Sequence, residues 1–165
     1  MAARGVHFAL ASEDERKLQA CPVDERANLI AEDIEPNYFE HSAQWLCQTD
    51  KAWDAIHRAF SSSELDYDYA TPLHGVVLGG QPLYFKDDYL LSLKTALQVR
   101  EIACAVAGVT EAAFRRLYFE INPEWYIHPL SEEDFEYSWS NLRDLVPFYV
   151  GAAEARRCVI FTADQ

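Results

Sequence analysis

Apolar residues recur along this chain mainly at helical spacing, in stretches opened by capping signals, and the β-branched runs between them are short. That pattern limits the chain to a helix-dominated fold with a small sheet. Val6-His-Phe-Ala-Leu10 reads as a first strand, and Ser12 with Glu15 forms an S-x-x-E capping box that turns the chain into a short helix. Pro22 suits a first helical position, and Val23, Ala27, Ile30 and Ile34 then share one face of a helix that Pro36 ends. Thr49 is placed to cap a helix whose buried stripe is Trp53, Ile56 and Phe60. Thr95 and Gln98 make a second capping box ahead of Val99, Ile102 and Val106, in a helix that Gly108 terminates. A helix over Thr110 to Tyr118 follows. Ser131 and Asp134 then open a long last helix with Phe135, Trp139 and Leu142 inward, which Pro147 should kink or interrupt.

The strand signals are fewer. Pro72 to Gly80 holds a brief β-branched core between prolines and glycines, predicting a short strand and a turn at Gly79-Gly80. Tyr89 to Leu93 and Val159 to Thr162 are two further strands. No repeat, low-complexity tract or long linker divides the sequence. The expectation is therefore α+β: helices packed on a small mixed β-sheet, in a single domain over residues 1–165.

A core is within reach of this composition. Half of the 165 residues are hydrophobic, with 9 Phe, 9 Tyr and 4 Trp, so neither metals nor disulfides are needed to hold the fold together. Cys21, Cys47, Cys104 and Cys158 lie far apart and form no C-x-x-C pair, which argues against a zinc or redox motif. They read as reduced core residues, Cys104 above all, because it sits in the apolar run Ile102-Ala-Cys-Ala-Val106. The start of the chain lacks the pattern of a signal peptide, and no apolar run approaches the roughly 18 residues that span a bilayer, so a soluble, cytoplasmic protein is expected.

The formal charge is −13, from 27 acidic against 14 basic side chains. Such a surface repels phosphate backbones and anionic lipids, which excludes nucleic acid and membrane as expected partners and favours a basic protein.

No spacing of side chains stands out as catalytic. Asp50, Asp54 and His57 fall at i, i+4 and i+7, yet the neighbouring face must bury Trp53 and Ile56, Asp50 suits a first helical turn, and Asp54 can pair with Arg58. His41, His57, His74 and His128 have no ligand-pair spacing, and Gly79-Gly80 lacks the lysine of a phosphate loop. No G-x-S-x-G surrounds a serine. Neither catalytic residues, a cofactor nor a metal is expected.

Two acidic, aromatic stretches remain. Glu64, Asp66, Tyr67, Asp68 and Tyr69 form the first; Glu132, Glu133, Asp134, Glu136 and Tyr137 form the second. Carboxylates beside large rings suit an arginine-rich partner, although Glu132, Glu133 and Asp134 also complement a helix dipole.

Four pieces in order carry a family likeness: Asp50-Lys-Ala-Trp-Asp-Ala-Ile-His57, Pro72-Leu-His-Gly-Val-Val-Leu-Gly-Gly80, Tyr89 to Val99 running strand into helix, and Leu145-Val-Pro-Phe-Tyr-Val-Gly-Ala-Ala153. With them the chain resembles the YfbM-like family, best from about residue 49 onward and least over Ala20 to Ser42. Ala96, where the family tends to have proline, and Pro147 depart from its pattern. The resemblance implies a compact α+β fold and brings no activity, cofactor or catalytic residue. Three functions follow as expectations: a non-enzymatic protein-binding module, immunity-like or antitoxin-like, for a basic protein; a small enzyme with an acid-base site near His57 or His74; or a dimerising structural protein exposing an apolar patch at Trp125-Tyr126 or on the last helix. A monomer or weak homodimer fits all three.

Overall fold

The computed structural model describes residues 4–86 and 88–164. Its strands are β1 (Gly5–Leu10), β2 (Leu46–Asp50), β3 (Gln81–Pro82), β4 (Tyr89–Lys94) and β5 (Cys158–Asp164). They form one sheet in the order β2-β1-β5-β4-β3, and all four pairings are antiparallel where a mixed sheet was expected. The α+β architecture is as the sequence led us to expect.

The two central strands are buried along almost their whole length, because helices cover both faces of the sheet. On one face lie α1 (Ser12–Ala20) and a continuous helical stretch made of a 3-10 turn (Val23–Glu25), α2 (Arg26–Leu29), a π turn (Ile30–Ile34) and α3 (Glu35–His41). Leu18, Ile30, Ile34 and Tyr38 pack there against Phe8, Leu91, Leu93 and Ile160. On the other face lie α4 (Ala52–Phe60), α5 (Ala96–Ala107), α6 (Glu111–Phe119) and the 23-residue α7 (Glu132–Glu154). Each fully buried Leu, Ile or Phe contributes about 1.5–3 kcal/mol relative to exposure.

Several helix signals act as read. Thr95 and Gln98 close a reciprocal capping box, and Thr110 and Ser131 each accept a backbone N–H three residues on. Others lose to tertiary structure. Ser12 already lies inside α1, whose cap residue is Ala11. Thr49 is in β2 and donates its hydroxyl to the Gly5 carbonyl at 3.3 Å, so α4 is entered from Lys51 without a side-chain cap. Pro36 sits in the first turn of α3, where its missing N–H costs little, so the helical stretch runs on to His41. α7 continues through Pro147. Pro72–Val76 is a 3-10 turn in place of the expected strand, leaving only Gln81–Pro82 to pair with β4. The turn itself is as read: Gly80 has φ 144°, and a Cβ on Gly79 would meet the Asp68 and His74 carbonyl oxygens at 2.5 Å. Cys104 corrects the reading of the cysteines, since it faces outward on α5 while Cys47 and Cys158 are buried; all four thiols are free.

Candidate functional site

The second acidic stretch forms the first turn of α7, and Asp134 within it is turned inward. Its Oδ2 accepts hydrogen bonds from Tyr118 at 2.6 Å and Tyr126 at 2.8 Å, while Ser131 caps its backbone N–H. This clamp ties the 120–131 segment to α6 and α7. The other end of the segment is pinned by Asn122, whose N–H reaches Ser63 Oγ at 2.8 Å and whose side chain accepts the Glu124 N–H at 3.0 Å. Between the pins the side chains split by direction. Ile121 and Tyr126 are buried, whereas Trp125 is 46% and Ile127 77% exposed.

The same segment and the start of α7 also carry exposed carboxylates. Glu120 and Glu124 lie on the same segment, and Glu133 and Glu136 project from α7, all exposed. Glu132 is engaged by Arg115, whose guanidinium also lies 4.8 Å from the Phe135 ring. Tyr137 donates its hydroxyl to Asp50 at 2.8 Å and, with His128, Ser131 and Glu133, lines a cavity of about 290 Å³.

The first stretch serves a different part of the fold. Ser61 Oγ donates to the Glu64 carbonyl, Asp66 accepts the Asp68 N–H, and the Tyr67 carbonyl accepts the Gly80 N–H. Tyr67 and Tyr69 pack on the core, and the Tyr69 hydroxyl donates to Glu101 on α5. Glu64 and Asp68 remain exposed, but the stretch is mainly a brace for the glycine turn. The ten residues therefore do not act as one surface: Asp134 is spent internally, Glu132 is paired, and Tyr67 and Tyr69 are half-buried.

The Asp50, Asp54 and His57 trio does not assemble. Asp50 faces Arg4 and Tyr137, Asp54 is bound by Arg58, and His57 turns into the core. There His57 Nδ1 accepts the Leu78 N–H at 3.4 Å, while its Nε2 is buried without a hydrogen bond. Nearby, Lys94 is wholly buried and donates to the Val77 carbonyl and to Ser92 Oγ. His7 is enclosed by the rings of Phe148, Tyr149 and Phe161, with neither nitrogen bonded. Burial, reinforced by Lys94, holds His57 down to about 3 and His7 well below its ordinary range; burial alone does the same to Lys94. Both histidines are therefore uncharged at neutral pH. The charged or titratable side chains acting on them are other bases: Lys94, His74 and Arg58.

His74 does border open space. It lines a cavity of about 450 Å³ with Arg58, Ser63, Thr71 and Glu120, and its Nδ1 is buried and unbonded. Ser62 and Ser63, also on that wall, have φ of 61° and 74°, a conformation that costs a non-glycine residue about 1–2 kcal/mol. Ser63 is held there by Arg58, which donates to its carbonyl at 2.7 Å. No carboxylate forms a hydrogen bond with either histidine among the described residues. Nor do three or more His, Cys, Asp or Glu side chains gather there as metal ligands.

His7 and Lys94 escaped sequence reasoning. His7 lies between Val6 and Phe8 in β1 and Lys94 ends β4, and their burial follows only once helices are known to cover both faces of the sheet. No helix among the described residues is long and apolar enough to cross a membrane.

The profile of a family described as a domain of unknown function (DUF1877) matches residues 1–162. No curated protein matches the chain. The fold is similar to the crystal structure of YfbM from Escherichia coli, described as a protein of unknown function: the TM-score is 0.67 at 14% sequence identity, with 98% of this chain and 99% of that chain covered.

Proposed function

The chain belongs to the DUF1877 family, whose description names no activity, and from that premise we propose that it is a non-enzymatic protein-binding module, immunity-like or antitoxin-like, for a basic partner. The observation that carries this reading is the pinned 120–131 segment, which displays Trp125 and Ile127 and carries the exposed Glu120 and Glu124. A segment already fixed at both ends loses little conformational entropy on binding, so its exposed rings retain more of their contact energy. Tryptophan is a favoured anchor at interfaces, and Glu120, Glu124, Glu133 and Glu136 supply the field that draws in lysine and arginine.

The test is capture of partners from cell extract by the wild-type chain, by Trp125→Ala with Ile127→Ala, and by Glu133→Gln with Glu136→Gln, at increasing salt. The reading expects a basic protein whose binding weakens with salt and falls about thirtyfold or more without the two apolar side chains. A partner bound equally well by the doubly truncated protein would sink it.

The cavity at His74 favours a second reading, a small enzyme working there with the His74 imidazole. It expects His74→Ala to abolish turnover of a substrate while leaving partner capture intact. The exposed Trp125 and Ile127 also suit a weak homodimer, which a concentration series in size-exclusion chromatography would reveal by a shift that the same double truncation removes.

A further inference from the structure

We propose that the cleft between the π turn and the adjoining end of the sheet binds a small organic cation, an ammonium or guanidinium compound, between Glu35, Asp164 and an aromatic wall. The cleft encloses about 570 Å³, within the range of small-molecule sites. It lies on the sheet face opposite α4, α6 and α7, away from the surface around Trp125, and so stands independently of the protein-binding proposal.

The π turn explains how a carboxylate comes to line it. The Glu35 N–H donates to the Ile30 carbonyl five residues back, which stacks Glu35 over a wholly buried isoleucine and leaves its side chain half-buried. Single π turns are frequent at functional sites because they redirect one side chain without breaking a helix. The sheet supplies the facing groups by its period of two. Ile160, Thr162 and Asp164 share one side of β5, and in the register Tyr89 stands opposite Asp164 and Val6 opposite Thr162.

Glu35 and Asp164 thus face one cleft, whose lining also includes Asp88. Burial, and then the charge of Asp164, raises the Glu35 carboxyl above its ordinary range. Among the described residues neither carboxylate has an ion-pair partner. Of the nearby cations, Arg4 lines the cleft and faces Asp50 at 3.7 Å, and Lys86 lies 3.8 Å from Asp24 and 5.8 Å from the centre of the Tyr84 ring. Phe39, Tyr84 and Tyr89 give the walls, and the enclosed Tyr89 hydroxyl, beside Thr162, has no hydrogen bond of ordinary geometry. Ring faces attract ammonium and guanidinium groups, the two carboxylates repel anions, and the space exceeds what a bare metal ion would fill.

The test is an amide chemical-shift titration of the full chain with agmatine, choline and putrescine at physiological salt, with glutamate and a short lysine-rich peptide as comparisons. At least one of the three small cations should give saturable shifts centred on Ala31, Glu35, Tyr89 and Thr162. Glu35→Gln and Asp164→Asn should each weaken binding tenfold or more, whereas Glu133→Gln with Glu136→Gln should leave it unchanged. Two separate carboxylate variants, each checked by thermal melting, guard against a substitution that simply unfolds the helical stretch. Shifts spread over the acidic surface and erased by salt would mean adventitious cation binding only and would overturn the proposal. So would binding of the lysine-rich peptide with none of the small cations, which would make the cleft a socket for a partner's side chain. Loss of the Trp125 surface leaves this titration untouched, so the two proposals fail separately.

Discussion

Toward α1, α2 and α3 the sheet presents Val6, Phe8, Leu10, Leu91, Leu93 and Ile160, a uniformly apolar layer; toward α4, α5 and α7 it presents His7, Ser92 and Lys94 among Ala9, Val159 and Phe161. Both faces exclude water, but only one does so over basic side chains. The apolar face stabilises by area and packing alone, so its contribution is almost blind to pH. The other face buries three bases, each with its pKa lowered by burial, and so ties folding to protonation.

The largest single effect is expected on the apolar face. Phe8, wholly buried with its ring 5.7 Å from that of Tyr38, should cost about 3–5 kcal/mol when changed to alanine, read as a lower urea midpoint with little change in slope. That loss should be the same at pH 6 and pH 8. A strong pH dependence would break the contrast between the faces.

Acid tests the polar face. His7 and His57 are depressed in the folded protein, so the stability linked to their neutral forms is fully present above about pH 6.5, the ordinary histidine value, and is lost as pH falls toward the folded pKa, about 3 for His57. Below pH 6.5 the unfolded chain binds up to two more protons, and the stability slope approaches about 2.7 kcal/mol per pH unit. Glu35 and Asp54, both raised, act in the opposite sense nearer pH 4, so the slope is best read between pH 6.5 and 5. His7→Phe should roughly halve it.

Lys94 sharpens the comparison at the alkaline end. Its folded pKa is depressed, so stability should climb by up to about 1.4 kcal/mol per pH unit as the medium approaches the ordinary lysine value of about 10.4. In Lys94→Met this alkaline rise should vanish, so the wild type should gain stability relative to the variant as pH rises toward that value. Chemical denaturation across that range would show it. The smallest effect belongs to neither face: Ser131→Ala removes the cap of α7 and should lower stability by about 1 kcal/mol at every pH.

Local chemistry was legible where nothing overruled it. The box of Thr95 and Gln98, the cap at Ser131 and the turn at Gly79-Gly80 depend on residues a few positions apart, and all stand where the sequence put them. β2 went unread because Leu46–Asp50 carries a weak pattern and pairs only by virtue of its place beside β1. Val76 looked like strand and is 3-10, since its neighbours' carbonyls are bound by Tyr149 and Lys94 from distant elements. At the acidic stretches, composition gave the charge but not its use. That Asp134 clamps two tyrosines, leaving Trp125 and Ile127 as the displayed pair, depends on contacts no spacing rule encodes.

One topological fact bears on how this protein comes to be. The strand at the middle of the sheet is β5, and Thr162 bonds Val6 across 156 positions of sequence. During synthesis, at about 5–20 residues per second, β1 and β4 must each wait with an open edge until the last strand leaves the ribosome. β1 with β2 and β3 with β4 can pair earlier, so the sheet closes last at its centre, and that long-range pairing is the slow step.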